Sequence, residues 1–496
     1  MPKQNNDYTS IFKSTSLFGA VQMFNILISV IRSKVVAIWI GPTGMGILGL
    51  LLSTLNVLGE FTKLGLSTTA VREIAQTESK GNNTVETNLI IATIKKVVWF
   101  TGFFGVLLTL ILSPLLSYLA FDSYEYTLAF IWVSISLLFN QISAGRLAIL
   151  QGFRKLKLLA KANLLGNLLG LLISLPLYFF YRLDAIVPVI IVSSFVALIV
   201  SWSYSRKMEF NILKVSNKQA FRKAKGMLNL GFMLSIRGSI TLVAAYVFQL
   251  YLSNVGGLDE VGYYVAGFMI INSYVGIVFN AMRTDYFPKL SGVIDDVKDV
   301  NKTVNNQSVI GILIIGPLVV TFLTFLPIIV KVLYTPSFLI IIGFVSWAIL
   351  GILFKTLSWS MGYVILAKGD SKLFLKTALF FNVLMLVFNV VGYHLYGLDG
   401  LGISFFLYYI IHFIGIKIIT ARQYDLNLDK DLIAIFLVLL ILSIATFIAT
   451  YINEIVVKYV VCSILMIVTL LYCYGQLDKR VNFKSLKNKF IKNKND

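Results

Sequence analysis

The chain has little of what soluble enzymes are built from. Only 13% of its 496 residues are charged, 57% are hydrophobic, and it has just two histidines and two cysteines. Because soluble domains carry about 25% charged residues, this composition excludes an ordinary soluble protein. Cys462 and Cys473 lie eleven residues apart on one predicted helix and cannot reach each other, so neither a disulfide nor a metal pair is expected. With no motif for a metal, a nucleotide or a nucleophile, we expect no cofactor and no enzyme.

Acidic residues are also scarce. The chain has 23 Asp and Glu against 43 Lys and Arg, for a net charge of +20. The basic residues fall mostly in alternate gaps between long apolar runs, and the gaps on the opposite side hold only Arg182, Lys331 and Lys458. Since basic loops stay in the cytoplasm, both termini are predicted to be cytoplasmic. This bias and attraction to anionic membrane lipids account for the charge, so no nucleic acid partner is expected.

The apolar runs predict an all-α integral membrane protein with about fourteen transmembrane helices. Each run is close to the ~20 residues that cross a bilayer. The predicted spans are residues 15–38, 43–63, 89–112, 127–147, 162–181, 185–204, 229–252, 261–282, 308–330, 339–363, 375–396, 400–421, 432–452 and 455–475.

The chain also contains a weak internal repeat. Gly46 to Gln76 can be laid on Gly262 to Gly292 at a constant offset of 216, which places Asn56 opposite Asn272. Parallel repeats joined by a cytoplasmic linker are typical of transporters. The repeat therefore predicts two six-helix lobes related by a pseudo-twofold axis, with two further helices at the C-terminus. The predicted parts are an N-lobe (1–204), a basic linker (205–228), a C-lobe (229–421), two helices (422–478) and a basic cytoplasmic tail (479–496).

Polar residues form stripes on several predicted spans. On the first span the stripe includes Gln22, Asn25, Ser29 and Arg32, within an arc of about 100°. Similar stripes on the second and eighth spans include Asn56, Glu60, Asn272 and Asn280. The stripes fit either of two interpretations: small and polar residues join membrane helices to each other, or they line a polar cavity.

Six cations lie inside the apolar runs: Arg32, Lys34, Lys63, Arg237, Lys355 and Lys417. On insertion scales, a charged side chain at the centre of the membrane costs roughly 2.5–3.5 kcal/mol. A water-filled cavity or a bound ligand can compensate for this cost. Arg32, Arg237 and Lys355 are therefore the candidate substrate-binding cations. Lys34 is expected to extend to the headgroups, while Lys63 and Lys417 lie near the inner interface. Glu60 could couple to an ion or pair with Lys63 three residues later.

The sign of these charges narrows the substrate class. Exporters of cations or drugs use buried carboxylates, whereas cations at depth suit an anion, and a guanidinium suits phosphate through paired donors. A phosphate attached to a lipid would explain why the cavity needs to be only partly polar.

Three short segments resemble the polysaccharide (O-antigen) flippases, the Wzx-type branch of the multidrug/oligosaccharidyl-lipid/polysaccharide exporter superfamily. They are residues 33–44 (SKVVAIWIGPTG), residues 261–264 (VGYY) leading into 287–291 (FPKLS), and residues 364–369 (VILAKG). The resemblance implies a bacterial inner-membrane flippase with two lobes around a central cavity. It also implies alternating access that carries an undecaprenyl-diphosphate-linked oligosaccharide to the outer leaflet, with membrane lipids, a polysaccharide polymerase and chain-length machinery as partners.

Together these observations predict that Arg237 and Lys355, with Arg32 nearer the outer mouth, hold the diphosphate, and that the polar stripes line the sugar path. Two alternatives remain open. The first is a multidrug or cation antiporter of the same superfamily, against which the scarcity of buried acids argues. The second is a membrane polysaccharide polymerase or glycosyltransferase, against which the short outer loops argue.

Overall fold

The computed structural model describes residues 24–79, 84–208 and 215–481, and these residues are helical almost throughout, with no strand among them. The predicted tail beyond residue 481 and the linker residues 209–214 lie outside the described residues. The helices are α1 (24–39), α2 (Gly41–Lys63), α3 (Leu66–Ser79), α4 (Thr84–Phe121), α5 (Thr127–Gly152), α6 (Leu156–Tyr181), α7 (Ile186–Arg206), α8 (Asn217–Gly256), α9 (Leu258–Met269), α10 (Ile277–Gly292), α11 (Val297–Leu333), α12 (Ile342–Ala367), α13 (Ser371–Tyr424), α14 (Lys430–Ala449) and α15 (Ile455–Val481).

The predicted all-α membrane fold is confirmed. Among the described residues, ten helical stretches are long and apolar enough to cross a membrane. Two of them are double: Leu156–Arg206 contains α6 and α7, and α13 bends at Tyr396 and Gly397, where the backbone leaves the helical region. The first and eighth predicted spans are the only ones not represented in these ten stretches. The first coincides with α1, at the edge of the described residues, and the eighth is interrupted, so the helices are compatible with fourteen spans.

The interruption in the eighth span is a π-helical turn. The turn covers Ile270–Val275 and joins α9 to α10. Such turns insert an extra residue into a helix and are frequent at functional sites. The turn contains Asn272, one of the predicted polar lining residues.

The structure also contains a helix that the apolar runs did not predict. Helix α3 follows α2 after Leu64 and Gly65, both of which have positive φ. It is amphipathic, and its buried residues Leu66, Ala70 and Ile74 pack with Ile91 of α4 and Ile149 of α5 in one hydrophobic cluster. Packing of this apolar face, rather than crossing of a membrane, accounts for the helix.

The packing divides the chain into two compact units. Unit 1 contains Met1–Val265 with Leu333–Thr335, and unit 2 contains Ala266–Val332 with Pro336–Asp496. The core of unit 2 centres on residues such as Tyr286, Val304, Met361 and Tyr408. The predicted division into lobes at 205–228 stays a prediction, and residues 217–228 of that linker belong to α8.

Inside unit 1 the N-terminal ends of α2 and α9 meet. The Thr43 hydroxyl donates a hydrogen bond to Oδ1 of Asp259 at 2.5 Å. These residues are 216 positions apart, the same offset as the sequence repeat. Equivalent positions just before the two repeat segments are therefore direct neighbours here.

Candidate functional site

Unit 1 encloses a cavity of about 330 Å³ among α1, α2, α5, α6 and α7. Its polar lining consists of Arg32, Asn56, Thr62, Lys63, Asn140, Gln141, Ser174, Tyr178, Ser193 and Ser194. Its apolar lining includes Leu48, Leu52, Leu55, Leu137, Val189 and Ile190. A mainly apolar wall with a few convergent polar groups is the usual character of a small-molecule site.

Hydrogen bonds and packing hold some of these polar side chains in place. The Gln141 side chain on α5 donates a hydrogen bond to the Thr101 hydroxyl of α4 at 2.8 Å. The Thr62 hydroxyl donates to the Leu58 carbonyl one turn earlier at 2.9 Å. Tyr178 is almost completely buried, with 2% of its surface exposed. The polar wall is therefore formed by side chains whose positions the packing fixes.

Arg32 is the cation of this cavity for which the described residues supply no hydrogen-bond or ion-pair partner. Its side chain is exposed, lines the cavity and lies within electrostatic range of Tyr178. Among the described residues it makes no hydrogen bond or ion pair. Because a guanidinium has five donors, Arg32 can still bind an anion with several charge-assisted hydrogen bonds.

The second cation of the cavity, Lys63, is already paired. Its ammonium forms an ion pair with Glu60 three residues earlier on α2, and 38% of the Lys63 side chain is exposed against 17% for Glu60. The interpretation of Glu60 as a partner of Lys63 is confirmed. Since the pair is neutral, Arg32 supplies the net charge of the cavity.

Lys34 has a protein partner that the sequence did not reveal. Its ammonium donates a hydrogen bond to the carbonyl oxygen of Tyr334, which follows the end of α11, at 2.6 Å. Its expected position near the headgroups stays a prediction. Lys34 is therefore a structural contact of unit 1.

Unit 2 has a cation of its own in the middle of α12. The ammonium of Lys355 lies 5.4 Å from the ring centre of Phe279, 5.4 Å from that of Tyr409 and 6.0 Å from that of Phe405. It also donates to Oδ1 of Asn272, at a long 3.4 Å. No carboxylate pairs with it among the described residues, so aromatic faces and one amide solvate the charge.

The predicted site residues are thus placed in two groups. Arg32 and Asn56 line the unit 1 cavity, while Lys355 and Asn272 meet in unit 2. Asn25 accepts a hydrogen bond from Asn167 of α6 at 3.0 Å, a helix–helix contact outside the cavity lining. Ser29 is half-buried and Asn280 is exposed, and neither is part of the two groups. Gln22 lies outside the described residues, as does the side chain of Arg237, although its backbone belongs to α8.

Sequence reasoning missed the half of the cavity that α5, α6 and α7 contribute. The missed polar residues are Asn140, Gln141, Ser174, Tyr178, Ser193 and Ser194. Two adjacent pairs, Asn140-Gln141 and Ser193-Ser194, interrupt otherwise apolar helices, and this is the signal that could have identified them.

In the described part of the chain, no three His, Cys, Asp or Glu side chains come together in a way that could hold a metal ion.

Comparisons with known proteins agree with this architecture. Residues 11–293 match the model of a family described as polysaccharide biosynthesis protein. A Shigella flexneri protein, provisionally named an O-antigen transporter, is 25% identical over 409 residues, which cover 80% of this chain and 94% of that protein.

Solved structures of transporters have a similar fold. The lipid II flippase MurJ in an inward closed conformation superposes with a TM-score of 0.65 at 14% identity, over 94% of this chain and 99% of that one. An inward-facing multidrug resistance transporter of the MATE family, in the MOP superfamily, gives a TM-score of 0.64 at 14% identity, over 81% and 95% of the two chains. At this identity the likeness shows that the fold is shared.

Proposed function

Because the chain belongs to the polysaccharide biosynthesis protein family, we propose that it is a membrane transporter that moves a lipid-linked oligosaccharide across the bilayer. The family is the one that the sequence resemblance predicted. The name of the Shigella flexneri relative and the fold shared with MurJ support a transporter and not an enzyme.

The observation that carries the proposal is the cavity with the unpaired guanidinium of Arg32. A cation that faces only packed helix would be destabilising, whereas one that faces a partly polar cavity can receive an anion. The cavity contains hydroxyl and amide groups from four helices, which suit sugar hydroxyls, and none of the described residues in its lining is an Asp or Glu. An anionic headgroup bearing sugars fits this combination.

The finer proposal is that the substrate is an undecaprenyl-diphosphate-linked repeat unit of O-antigen or a related polysaccharide. Arg32, Lys355 and Arg237 would bind the diphosphate successively, because several spaced cations bind an anion and still release it. Alternating access between the predicted lobes would carry the headgroup from the cytoplasmic to the outer leaflet of the inner membrane. The basic inner loops support cytoplasmic termini.

Substitution of Lys355 tests this proposal. In a strain that lacks the native gene, Lys355→Glu is expected to abolish surface polysaccharide while the protein still inserts in the membrane. Lys417→Glu makes the same charge change in unit 2. Lys417 is an exposed residue of α13 that is not among the residues around the Lys355 ammonium, so this variant is expected to leave export intact. Full export by the Lys355 variant would remove this residue from the mechanism.

A direct assay separates the proposed function from its alternatives. The assay uses proteoliposomes that contain the purified chain and a fluorescent polyprenyl-diphosphate oligosaccharide. If the chain moves this lipid from the inner to the outer leaflet, a quencher added outside should reach the label. Failure of this assay together with changed drug sensitivity of the deletion strain would favour the antiporter. Chemical conversion of the labelled lipid would favour a polymerase or glycosyltransferase.

A further inference from the structure

A second cationic site lies in unit 1, away from the cavity that contains Arg32. Lys95 of α4 and Arg146 of α5 line a small cavity of about 70 Å³ between these two helices. A neighbouring recess of about 340 Å³ opens between α4 and the start of α8, and Lys95 and Trp99 line both spaces. Neither space is lined by a carboxylate. The smaller one alone exceeds the ~15 Å³ that a single water needs.

The cations at this site repel each other and have no anionic partner among the described residues. Lys95 lies within electrostatic range of Arg146, and Arg146 lies within range of Arg206. Lys95 makes no hydrogen bond or ion pair among the described residues. A group of like charges held together by a fold without a counter-charge favours binding of an anion.

The packing holds Arg146 in place but leaves part of its guanidinium unused. Nη1 of Arg146 donates to the Ser205 hydroxyl at 3.1 Å, and the guanidinium carbon lies 5.9 Å from the ring centre of Trp202. Its Nε is buried and has no hydrogen-bond partner in the described part of the chain. Because a buried donor without a partner costs about 1–3 kcal/mol, a ligand that accepts from Arg146 would be stabilising.

The surroundings of the site are those of a membrane interface. Trp99 and Phe100 are 56% and 57% exposed, and Phe221 of α8 is 38% exposed beside them. Lys95 lies about three turns after the start of α4, which the positive-inside bias places on the cytoplasmic side. Tryptophan and lysine at this depth are typical of contact with lipid headgroups, and anionic lipids attract each nearby basic residue by roughly 1 kcal/mol.

We propose that the recess formed by α4, α5 and the start of α8 binds the phosphate group of an anionic phospholipid of the inner leaflet. Lys95 and Arg146 bind the phosphate, and Trp99, Phe100 and Phe221 contact the glycerol and the first part of the acyl chains. Such a lipid would reinforce the contacts that already join α4 to α8, which include the hydrogen bond from Lys96 to Asn217 at 2.8 Å. This site is separate from transport and does not rest on the proposed substrate.

Lipid-dependent stability of the purified full-length protein in detergent tests the proposal. Phosphatidylglycerol is expected to raise the melting temperature with a saturable dependence on lipid concentration, and phosphatidylcholine with the same acyl chains is not. The Lys95→Ala/Arg146→Gln variant should bind phosphatidylglycerol about tenfold more weakly or worse, as expected for loss of charge-assisted hydrogen bonds. The matched control, Lys157→Ala/Lys161→Ala, removes two exposed charges from the start of α6 and should bind as the unchanged protein does.

Three results would overturn the proposal. Equal stabilisation by phosphatidylcholine would show that the headgroup charge is irrelevant, and an equal loss in the control variant would show only general attraction to negative lipid. Stabilisation of the same size by millimolar inorganic phosphate would assign the site to a free anion. If the double variant does not fold, Lys95→Ala alone is compared with Lys95→Arg, which should restore binding. The part of the fluorescence quenching by brominated phosphatidylglycerol that Trp99→Phe removes gives a second readout in the folded protein, since other exposed tryptophans such as Trp132 are also quenched.

Discussion

Gly46 on α2 and Gly262 on α9 face each other so closely that neither position has room for a side chain. A Cβ on Gly46 would lie 2.0 Å from the carbonyl oxygen of Leu258, and one on Gly262 would lie 2.1 Å from the carbonyl oxygen of Pro42. The two contacts are reciprocal, because each residue is 216 positions from its counterpart. The crossing is therefore an isologous contact between two copies of one segment, like a twofold interface within a single chain.

Replacement of Gly46 by alanine is expected to destabilise this crossing. The added methyl group would meet the backbone, which cannot rotate away as a flexible side chain can. Overpacking of this kind costs about 1–3 kcal/mol in a well-packed core. Thermal unfolding of the purified variant measures the loss, and Gly262→Ala should give a similar one.

Gly166→Ala is the matched control for this prediction. At Gly166 of α6 the nearest atom to a new Cβ is the Cα of Ala197 at 3.8 Å, which is ordinary contact. Alanine favours a helix over glycine by about 1 kcal/mol, so this variant should be as stable as the original or more so. If both Gly46 and Gly166 variants keep full stability, the crossing is not as tight as described.

Arg32→Gln is expected to reduce transport while leaving stability nearly unchanged. Arg32 has no hydrogen bond or ion pair in the described part of the chain, so its loss should change the free energy of unfolding by no more than about 0.5 kcal/mol. Transport should fall at least tenfold, because the net charge of the cavity disappears. Arg32→Lys should restore part of the activity, since an ammonium keeps the charge but not the planar arrangement of donors. The proteoliposome assay and thermal unfolding measure the two effects.

Lys34→Met, on the same helix, is expected to lower stability and leave transport unchanged. Lys34 donates to the carbonyl of Tyr334, so its loss should lower stability by about 1–2 kcal/mol. Transport per folded molecule should not change. If the Lys34 variant is present at the normal protein level but transports poorly, then loss of any cation from α1 impairs transport, and the effect is not specific to Arg32.

Hydropathy patterning was sufficient to predict the all-α membrane fold, because the bilayer imposes long apolar runs. Helix α3 escaped this approach, since its mean hydropathy is low and packing alone accounts for it. The π-helical turn at Ile270–Val275 also could not be predicted, because a single extra residue leaves the apolar pattern of the span unchanged.

The candidate site could be predicted only in part. Charge at membrane depth identified Arg32 and Lys355, since the cost of burying a charge makes such residues conspicuous. The sequence set Lys34 apart from these two residues, but it did not reveal the carbonyl partner of Lys34, which is 300 positions away in the chain. Nor did it identify the aromatic rings around Lys355, which come from distant helices and resemble ordinary apolar packing.

Lys355→Met is expected to stabilise the protein and stop transport. Three aromatic faces and a long contact with Asn272 surround the ammonium, and none of the described carboxylates pairs with it, so its desolvation is incompletely compensated. Replacement of a poorly compensated charge by an apolar side chain of similar length can stabilise a protein by about 1–4 kcal/mol. Thermal unfolding should show the gain, whereas export should be lost. A destabilised variant would instead show that the contacts of the ammonium with the rings are net favourable.

Exchange of Glu60 and Lys63 tests whether their ion pair is structural or coupled to transport. Either single neutral variant, Glu60→Gln or Lys63→Gln, leaves one charge unpaired on α2 and should lower stability. Glu60→Lys/Lys63→Glu restores the pair. The exchanged variant should be less stable than the original by only about 0.3–1 kcal/mol, because it places a carboxylate at the C-terminal end of a helix. Since the exchanged pair is still neutral, Arg32 continues to supply the net charge of the cavity, and transport should stay near its original rate. Loss of transport by a stable exchanged variant would contradict this and would place the Lys63 ammonium, which lines the cavity, in contact with the substrate.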